Sequence, residues 1–234
     1  MLTAIEHDEA ANGSASKIPC DSPLNEIRGL DHLKVRKSYP RGTLLFAEGQ
    51  KPRGIYVICE GRVKVSIASA DGRTLVLRIA KPGDVLGINS VLSGRPSEAT
   101  VETLGRCQMD FVSREDLQEL LKRDRNACLS VAHALGNKLT GVVGHARLLF
   151  LSQSAAEKLA RLLVRWCEES GKRTPEGTRI EFRLTHEEIA QIICSSRETV
   201  TRLLADLKRK QIVSWSDNAI FIRNRKALDL AARS

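Results

Sequence analysis

Hydrophobic and polar positions along the 234-residue chain change period twice, and each change marks a new kind of element. From Val35 to Phe111 short Val/Ile/Leu/Phe runs alternate with turn signals at Pro40-Arg41-Gly42, Glu48-Gly49, Glu60-Gly61, Asp71-Gly72, Lys81-Pro82-Gly83 and Ser93-Gly94. Ile55–Ile58 and Val63–Ile67 flank Glu60-Gly61, and Asp71-Gly72 leads into Thr74–Ile79, the pattern of successive β-hairpins. Many short strands at near-regular spacing predict an all-β barrel or sandwich. From Arg114 to Phe150 there is no proline, and apolar residues recur at Cys128, Ala132, Leu135, Leu139, Val142, Ala146 and Leu149. Steps of four and three make an a/d seam, narrower than the stripe of a helix packed on its own domain. The seam predicts a dimerising helix, within which Gly136, Gly141 and Gly144 permit close approach of another backbone or a ligand.

The third regime begins with an amphipathic helix near Ser154–Glu169 and the turn-rich loop Gly171–Gly177. A short strand, Arg179–Leu184, precedes two helices separated by two or three residues. They start at Thr185-His186-Glu187-Glu188 and Ser195-Ser196-Arg197-Glu198, both capping boxes. Ile212–Trp215, a turn at Asp217-Asn218 and Ile220–Ile222 form a β-hairpin behind them. Two helices across a tight turn with a wing is a DNA-docking arrangement. The predicted division is a loose tail over 1–24, an all-β unit over 25–115, a dimerisation helix over 116–150, a winged helix-turn-helix over 151–226 and a C-terminal tail over 227–234. The fold class is α+β.

Charge sharpens this picture. The chain carries 37 Lys/Arg against 28 Asp/Glu. Thirteen and eight of these fall between Lys172 and Ser234, so the basic excess sits partly on the helix-turn-helix. Such charge favours a polyanion, while only 4% aromatic residues argue against a stacking platform for single strands. No apolar run is long enough to span a bilayer, and the N-terminus lacks the positive charge and apolar segment of a secretory signal, so a cytoplasmic protein is expected. No residues are left over for a catalytic domain, so the chain reads as a non-enzyme.

On the second helix, Val200, Leu203, Leu204 and Leu207 make the buried stripe, while Arg197, Glu198, Thr201 and Arg202 fall on the other face. Arg can hold guanine bidentately and Glu can accept from cytosine, which suits G·C pairs. Thr185, Ser195, Ser196, Thr199 and the helix N-termini are candidates to grip phosphates.

The stretch Leu184–Leu204 resembles the helix-turn-helix of the Crp/Fnr regulators. Pro40-x-Gly42-x-x-Leu45-Phe46-x-Glu48-Gly49, the Gly54–Gly61 hairpin and Pro82-Gly83-Asp84-x-Leu86-Gly87 resemble that family's cyclic-nucleotide-binding-like roll, a jelly-roll-like double-stranded β-helix. The resemblance runs from about residue 25 to 228 and implies that the β unit over 25–115 is a sensory β-roll. It implies a bacterial homodimer that regulates transcription, binds double-stranded DNA, reads bases through Arg197, Glu198 and Arg202, and touches RNA polymerase through Lys172, Arg173, Thr174, Pro175 and Glu176. It also implies an effector pocket near Gly87, Ile88, Asn89, Arg95, Ser97, Glu98, Val143 and Gly144. A non-specific architectural DNA binder, and a cyclic-nucleotide module without gene-specific regulation, are the alternatives.

Departures from the family bear on the effector, which stays unassigned. Where cyclic-AMP-binding members carry an Arg-Ser pair this chain reads Ser97-Glu98, so cyclic AMP is disfavoured. Cysteines 20, 59, 107, 128, 167 and 194 are scattered with no CxxC, and a four-cysteine iron–sulfur cluster is disfavoured, as is any metal site. His7, His32, His133 and His145 read as ordinary histidines and most cysteines as small buried hydrophobes, with a Cys20–Cys107 redox pair as an open alternative. Cys194 stands at the helix–helix turn, where the family usually has glycine.

Overall fold

The computed structural model of the chain describes residues 32–181, 184–216 and 219–233. The predicted tail over 1–24, with His7 and Cys20, therefore lies outside the described residues, as does the turn at 217–218.

The β-rich segment folds as β1 (Val35–Tyr39), β2 (Leu44–Phe46), β3 (Gly54–Glu60), β4 (Val63–Ala68), β5 (Thr74–Ala80), β6 (Val85–Leu86), the short helix α1 (Ile88–Ser93), β7 (Thr100–Thr103) and β8 (Cys107–Ser113). These strands form two four-stranded antiparallel sheets, ordered β1-β8-β3-β6 and β2-β7-β4-β5. Strand alternation assigns β3 to two cores. Ile55, Val57 and Cys59 join the layer under the helices, whereas Ile58 joins the layer between the sheets. The β3–β4 turn requires glycine. Gly61 has φ 94°, and a Cβ there would lie 2.5 Å from the Cys107 Sγ. Across β1 and β8 the buried Asp110 carboxylate accepts from Arg36 Nε at 2.7 Å and Nη2 at 2.9 Å.

The expected helix over 116–150 is two helices, α2 (Arg114–Arg123) and α3 (Arg125–Phe150). Asp124 breaks it. Its backbone is extended, and its carboxylate accepts from Asn126 N at 2.8 Å to cap α3. The bend lets Leu117 of α2 and Ala127 and Val131 of α3 pack on one core beneath the roll. On α3 the seam residues divide. Cys128, Ala132, Leu139 and Val142 stay exposed, Ala146 and Leu149 are half-buried, and Leu135 turns inward against that core. The exposed seam residues continue into an apolar surface with Leu129, Val143 and Phe150, Leu139 being 65% and Phe150 83% accessible.

The C-terminal unit comprises α4 (Ala155–Ser170), β9 (Lys172–Thr174), β10 (Gly177–Glu181), α5 (His186–Ile193), α6 (Arg197–Arg209), β11 (Val213–Ser216), β12 (Ala219–Ile222) and α7 (Arg225–Ala231). Its sheet runs β11-β12-β10-β9. Two expectations are corrected here. The loop expected over Gly171–Gly177 is a β-hairpin, because Lys172–Thr174 pair with Gly177–Arg179. The expected tail over 227–234 contains α7, which buries Leu228, and Arg161 of α4 donates to the Ala232 carbonyl at 2.9 Å. The two units share a core, in which Val76 of β5 clusters with Leu159, Ile189 and Ile192. No helix among the described residues is long and apolar enough to cross a membrane.

Candidate nucleic-acid interface

Local hydrogen bonds fix α5 and α6 before any ligand is present. Thr185 closes a complete capping box on α5: its hydroxyl accepts from Glu188 N at 3.1 Å, and the Glu188 carboxylate accepts from Thr185 N at 2.6 Å. Ser196 caps α6, its hydroxyl accepting from Thr199 N at 3.2 Å. Between the helices Cys194 adopts φ 52° and ψ 56°, and Ser195 N donates to the Ala190 carbonyl at 3.0 Å. A side contact ties the helices together, His186 Nδ1 lying 2.8 Å from the Thr201 hydroxyl. Thr201 also donates to the Arg197 carbonyl at 2.9 Å.

Burial then sorts the faces of α6. Val200 and Leu204 are buried, with Leu203 and Leu207 packed against the same core. Arg197, Glu198, Thr201 and Arg202 are exposed together near the N-terminus, with Thr185 and Ser196 exposed at the two caps and Ser195 and Thr199 half-buried beside them. The Glu198 carboxyl is held below the usual range by its own backbone N–H and then by the Ser196 hydroxyl, with Arg197 adding to the effect. Glu198 is thus an acceptor and Arg197 and Arg202 are donors, on one face that no intramolecular packing occupies. Behind them β11 and β12 pair in register, Val213 opposite Ile222 and Ser216 opposite Ala219.

The match to known sequences follows these boundaries. Residues 36–124 fit the family model described as a cyclic nucleotide-binding domain, and residues 157–230 fit the Crp-like helix-turn-helix domain. The chain belongs to the Crp/Fnr family. It is a DNA-binding transcription regulator with an α+β fold and not an enzyme. This Crp/Fnr regulator is 26% identical to the global nitrogen regulator of Synechocystis sp. over 83% of its own length and 87% of that protein. It is 27% identical to the CRP-like cAMP-activated global transcriptional regulator of Mycobacterium tuberculosis, with the same coverage. A CRP-family transcriptional regulator from Thermus thermophilus superposes with a TM-score of 0.71 at 26% identity, covering 85% of this chain and 97% of that one. FixK2 from Bradyrhizobium japonicum shares the fold at 21% identity, with a TM-score of 0.74 over 85% of this chain and 96% of that one.

The residues expected to form the regulator's effector pocket differ in burial and bonding. Gly87, at φ 81°, caps α1, and a Cβ there would meet the Gly54 carbonyl at 3.0 Å. Ile88 packs in the core, Asn89 keeps a buried Oδ1 without a hydrogen-bond partner, and Arg95 and Glu98 are exposed. Ser97 is buried with its hydroxyl donating to the Ala99 carbonyl at 2.7 Å. On α3, Val143 is exposed and Gly144 half-buried. A cavity of about 370 Å³ lies elsewhere, where β5, α3 and α4 meet, and none of these eight residues lines it. Its cationic residues are Arg78, Lys81, Lys138 and Arg165, and Arg78, Lys138 and Arg165 share no motif because each comes from a different element. Cys107 is buried, and burial pushes its thiol above the usual range. A thiolate sensor at that position lacks the required activation.

Proposed function

We propose that the protein is a homodimeric, sequence-specific regulator acting in the cytoplasm, whose two α6 helices read a TGTGA-like palindrome. The exposed cluster of Arg197, Glu198 and Arg202 on a doubly capped helix carries this reading. Each cluster member has the chemistry to address one edge of a G·C pair. Dimerisation is supported by the outward apolar stripe on α3, where Cys128, Ala132, Leu139 and Val142 of the expected seam are joined by Leu129, Val143 and Phe150. Open space beside Gly136 leaves room for a second helix to approach closely. A two-fold axis through that face brings the recognition helices onto half-sites about one helical turn, ~34 Å, apart.

An effector or redox signal at the roll controls this binding. Cyclic AMP is not that effector, because Glu98 offers a carboxylate to the cyclic phosphate and the Ser97 hydroxyl is already engaged by Ala99. The exposed β9–β10 hairpin, with Lys172, Arg173, Pro175 and Glu176 outward and Thr174 bonded to Gly177, is the proposed contact with RNA polymerase.

Selection from random duplexes tests the reading. The wild-type protein is expected to enrich TGTGA-N6-TCACA, and Arg197→Ala to lose roughly 1–3 kcal/mol with relaxed preference at one G·C pair. Lys208→Ala is expected to weaken all sequences alike, since a phosphate contact carries no base information. Enrichment of the same motif by Arg197→Ala would remove Arg197 from the base-reading set.

A further inference from the structure

Outside the recognition face, cationic side chains gather in the cavity of about 370 Å³ between the roll, the long helix and the C-terminal unit. Arg78 comes from β5, Lys138 from α3, and Arg165 from α4, and all three line the cavity. Their acidic neighbours, Asp84 paired with Arg78 and Glu169 loosely paired with Arg165, neutralise them only in part. Asp84 is committed, its Oδ2 accepting from Arg78 Nη1 at 2.6 Å and from Lys81 N at 3.0 Å. Glu169 Oε1 stops 3.8 Å from Arg165 Nε, beyond hydrogen-bond reach. The Nε–H groups of Arg78 and Arg165 are both buried with no hydrogen-bond partner. A buried donor in that state carries an unreturned desolvation cost, and two of them sit on one cavity.

Lys138 adds a third cation. Among the described residues it reaches no carboxylate within ion-pair distance; burial first, and then Arg78, hold its ammonium below the usual range, with Glu98 opposing. With Lys81, four cationic residues line the cavity against the two carboxylates of Asp84 and Glu169, an excess of positive charge in a partly desolvated space that a bound anion would offset. The volume suits a small organic molecule, and Trp166 supplies an apolar wall.

We propose that this cavity binds a small oxyanion-bearing molecule, carrying phosphate or carboxylate groups, held jointly by Arg78, Lys138 and Arg165. Each cation belongs to a different part of the fold, so occupancy ties the roll, α3 and the helix-turn-helix unit into one arrangement. The site is separate from the residues expected to hold an effector inside the roll, and it holds whichever operator α6 reads.

The test uses full-length protein at low salt, titrated calorimetrically with inorganic pyrophosphate and, separately, with citrate, against chloride at matched ionic strength. Saturable binding of one anion per chain by at least one of them is expected, and the stronger of the two identifies the group recognised. Lys138→Met is expected to weaken that binding at least tenfold, while Arg197→Ala and the surface variant Lys122→Met leave it unchanged. Lys138→Met should also raise the thermal midpoint without anion and abolish the further rise that the anion gives to the wild type. A readout independent of Lys138 is Trp166 emission in Trp215→Phe protein, which should shift at the same anion concentration. Neither anion binding better than chloride overturns the proposal. So does equal binding by Lys138→Met, or anion binding that leaves Trp166 emission unmoved.

Discussion

Cys194 sits in the left-handed region at φ 52°, where a Cβ is penalised by roughly 1–2 kcal/mol, and nothing in its surroundings returns that cost. Cys194→Gly is therefore expected to stabilise the protein by about 1 kcal/mol in chemical denaturation without altering operator affinity; unchanged stability would mean that the turn carries no strain. Asp110 is the opposite case, a buried charge held mainly by Arg36, with Cys59 and Lys34 adding to its hold. Burial pushes its carboxyl up, but the Arg36 hydrogen bonds and charge outweigh that and hold it below the usual range. Its contribution to stability is thus present above an ordinary carboxylate pKa of ~3.9 and is lost as pH falls through the lowered folded value. Arg36→Met removes the main partner of the buried carboxylate, at a cost of about 3–5 kcal/mol at neutral pH. With Arg36 gone burial dominates and the folded pKa rises, so the destabilisation should shrink as pH falls toward 4. A deficit that does not vary with pH would show that Asp110 is not its source.

At the scale of elements, α3 answers to three neighbours at once. Its inner face packs under the roll, its outer face presents Leu129, Leu139, Val143 and Phe150, and its C-terminal half meets α4. Leu139→Glu places a charge in the centre of the outer stripe and should yield monomers with little operator affinity in sedimentation and binding assays; an unchanged dimer would move the interface elsewhere. Near the α3–α4 junction His145 is buried with neither ring nitrogen hydrogen-bonded, and burial, then the Arg165 charge, depress its pKa to about 4. Its neutral form is the one that folds. Stability is full above the unfolded value of ~6.5 and falls as pH drops from there to about 4, by up to roughly 3 kcal/mol. His145→Leu should flatten that part of the stability–pH curve, and an unaltered curve would assign the acid sensitivity to another group.

For the whole molecule, the decisive feature is the core shared by β5 and the helix-turn-helix unit, through Val76, Ile189 and Ile192. A shared apolar core couples the two units, so calorimetry should find one unfolding transition, and two separated transitions would show that the docking is weak. Much of this molecule was already legible along the chain. Strand alternation and turn residues specified the roll, the Thr185–Glu188 capping box marked α5, and Arg197, Glu198, Thr201 and Arg202 fell on the polar face that the structure exposes. These features depend on interactions within a few residues, so sequence spacing suffices to find them. The second capping box, expected at Ser195–Glu198, does not form, because Ser196 caps α6 and accepts from Thr199 N. The break at Asp124, the β9 strand, the inward turn of Leu135 and the docking of α7 were missed; the last two depend on a distant surface that supplies packing, whereas β9 pairs with the adjacent β10 and Asp124 caps α3 locally. Asp124 ahead of Asn126 was a capping signal, hidden inside a run without proline. The cavity lay furthest from reach. Arg78, Lys138 and Arg165 lie on three separate elements and carry no shared motif; only the packing of those elements brings their charges together and takes water away from them. Local propensity and periodicity determined the elements and the reading face of this regulator, and tertiary packing alone decided which charges are buried and which apolar face remains uncovered.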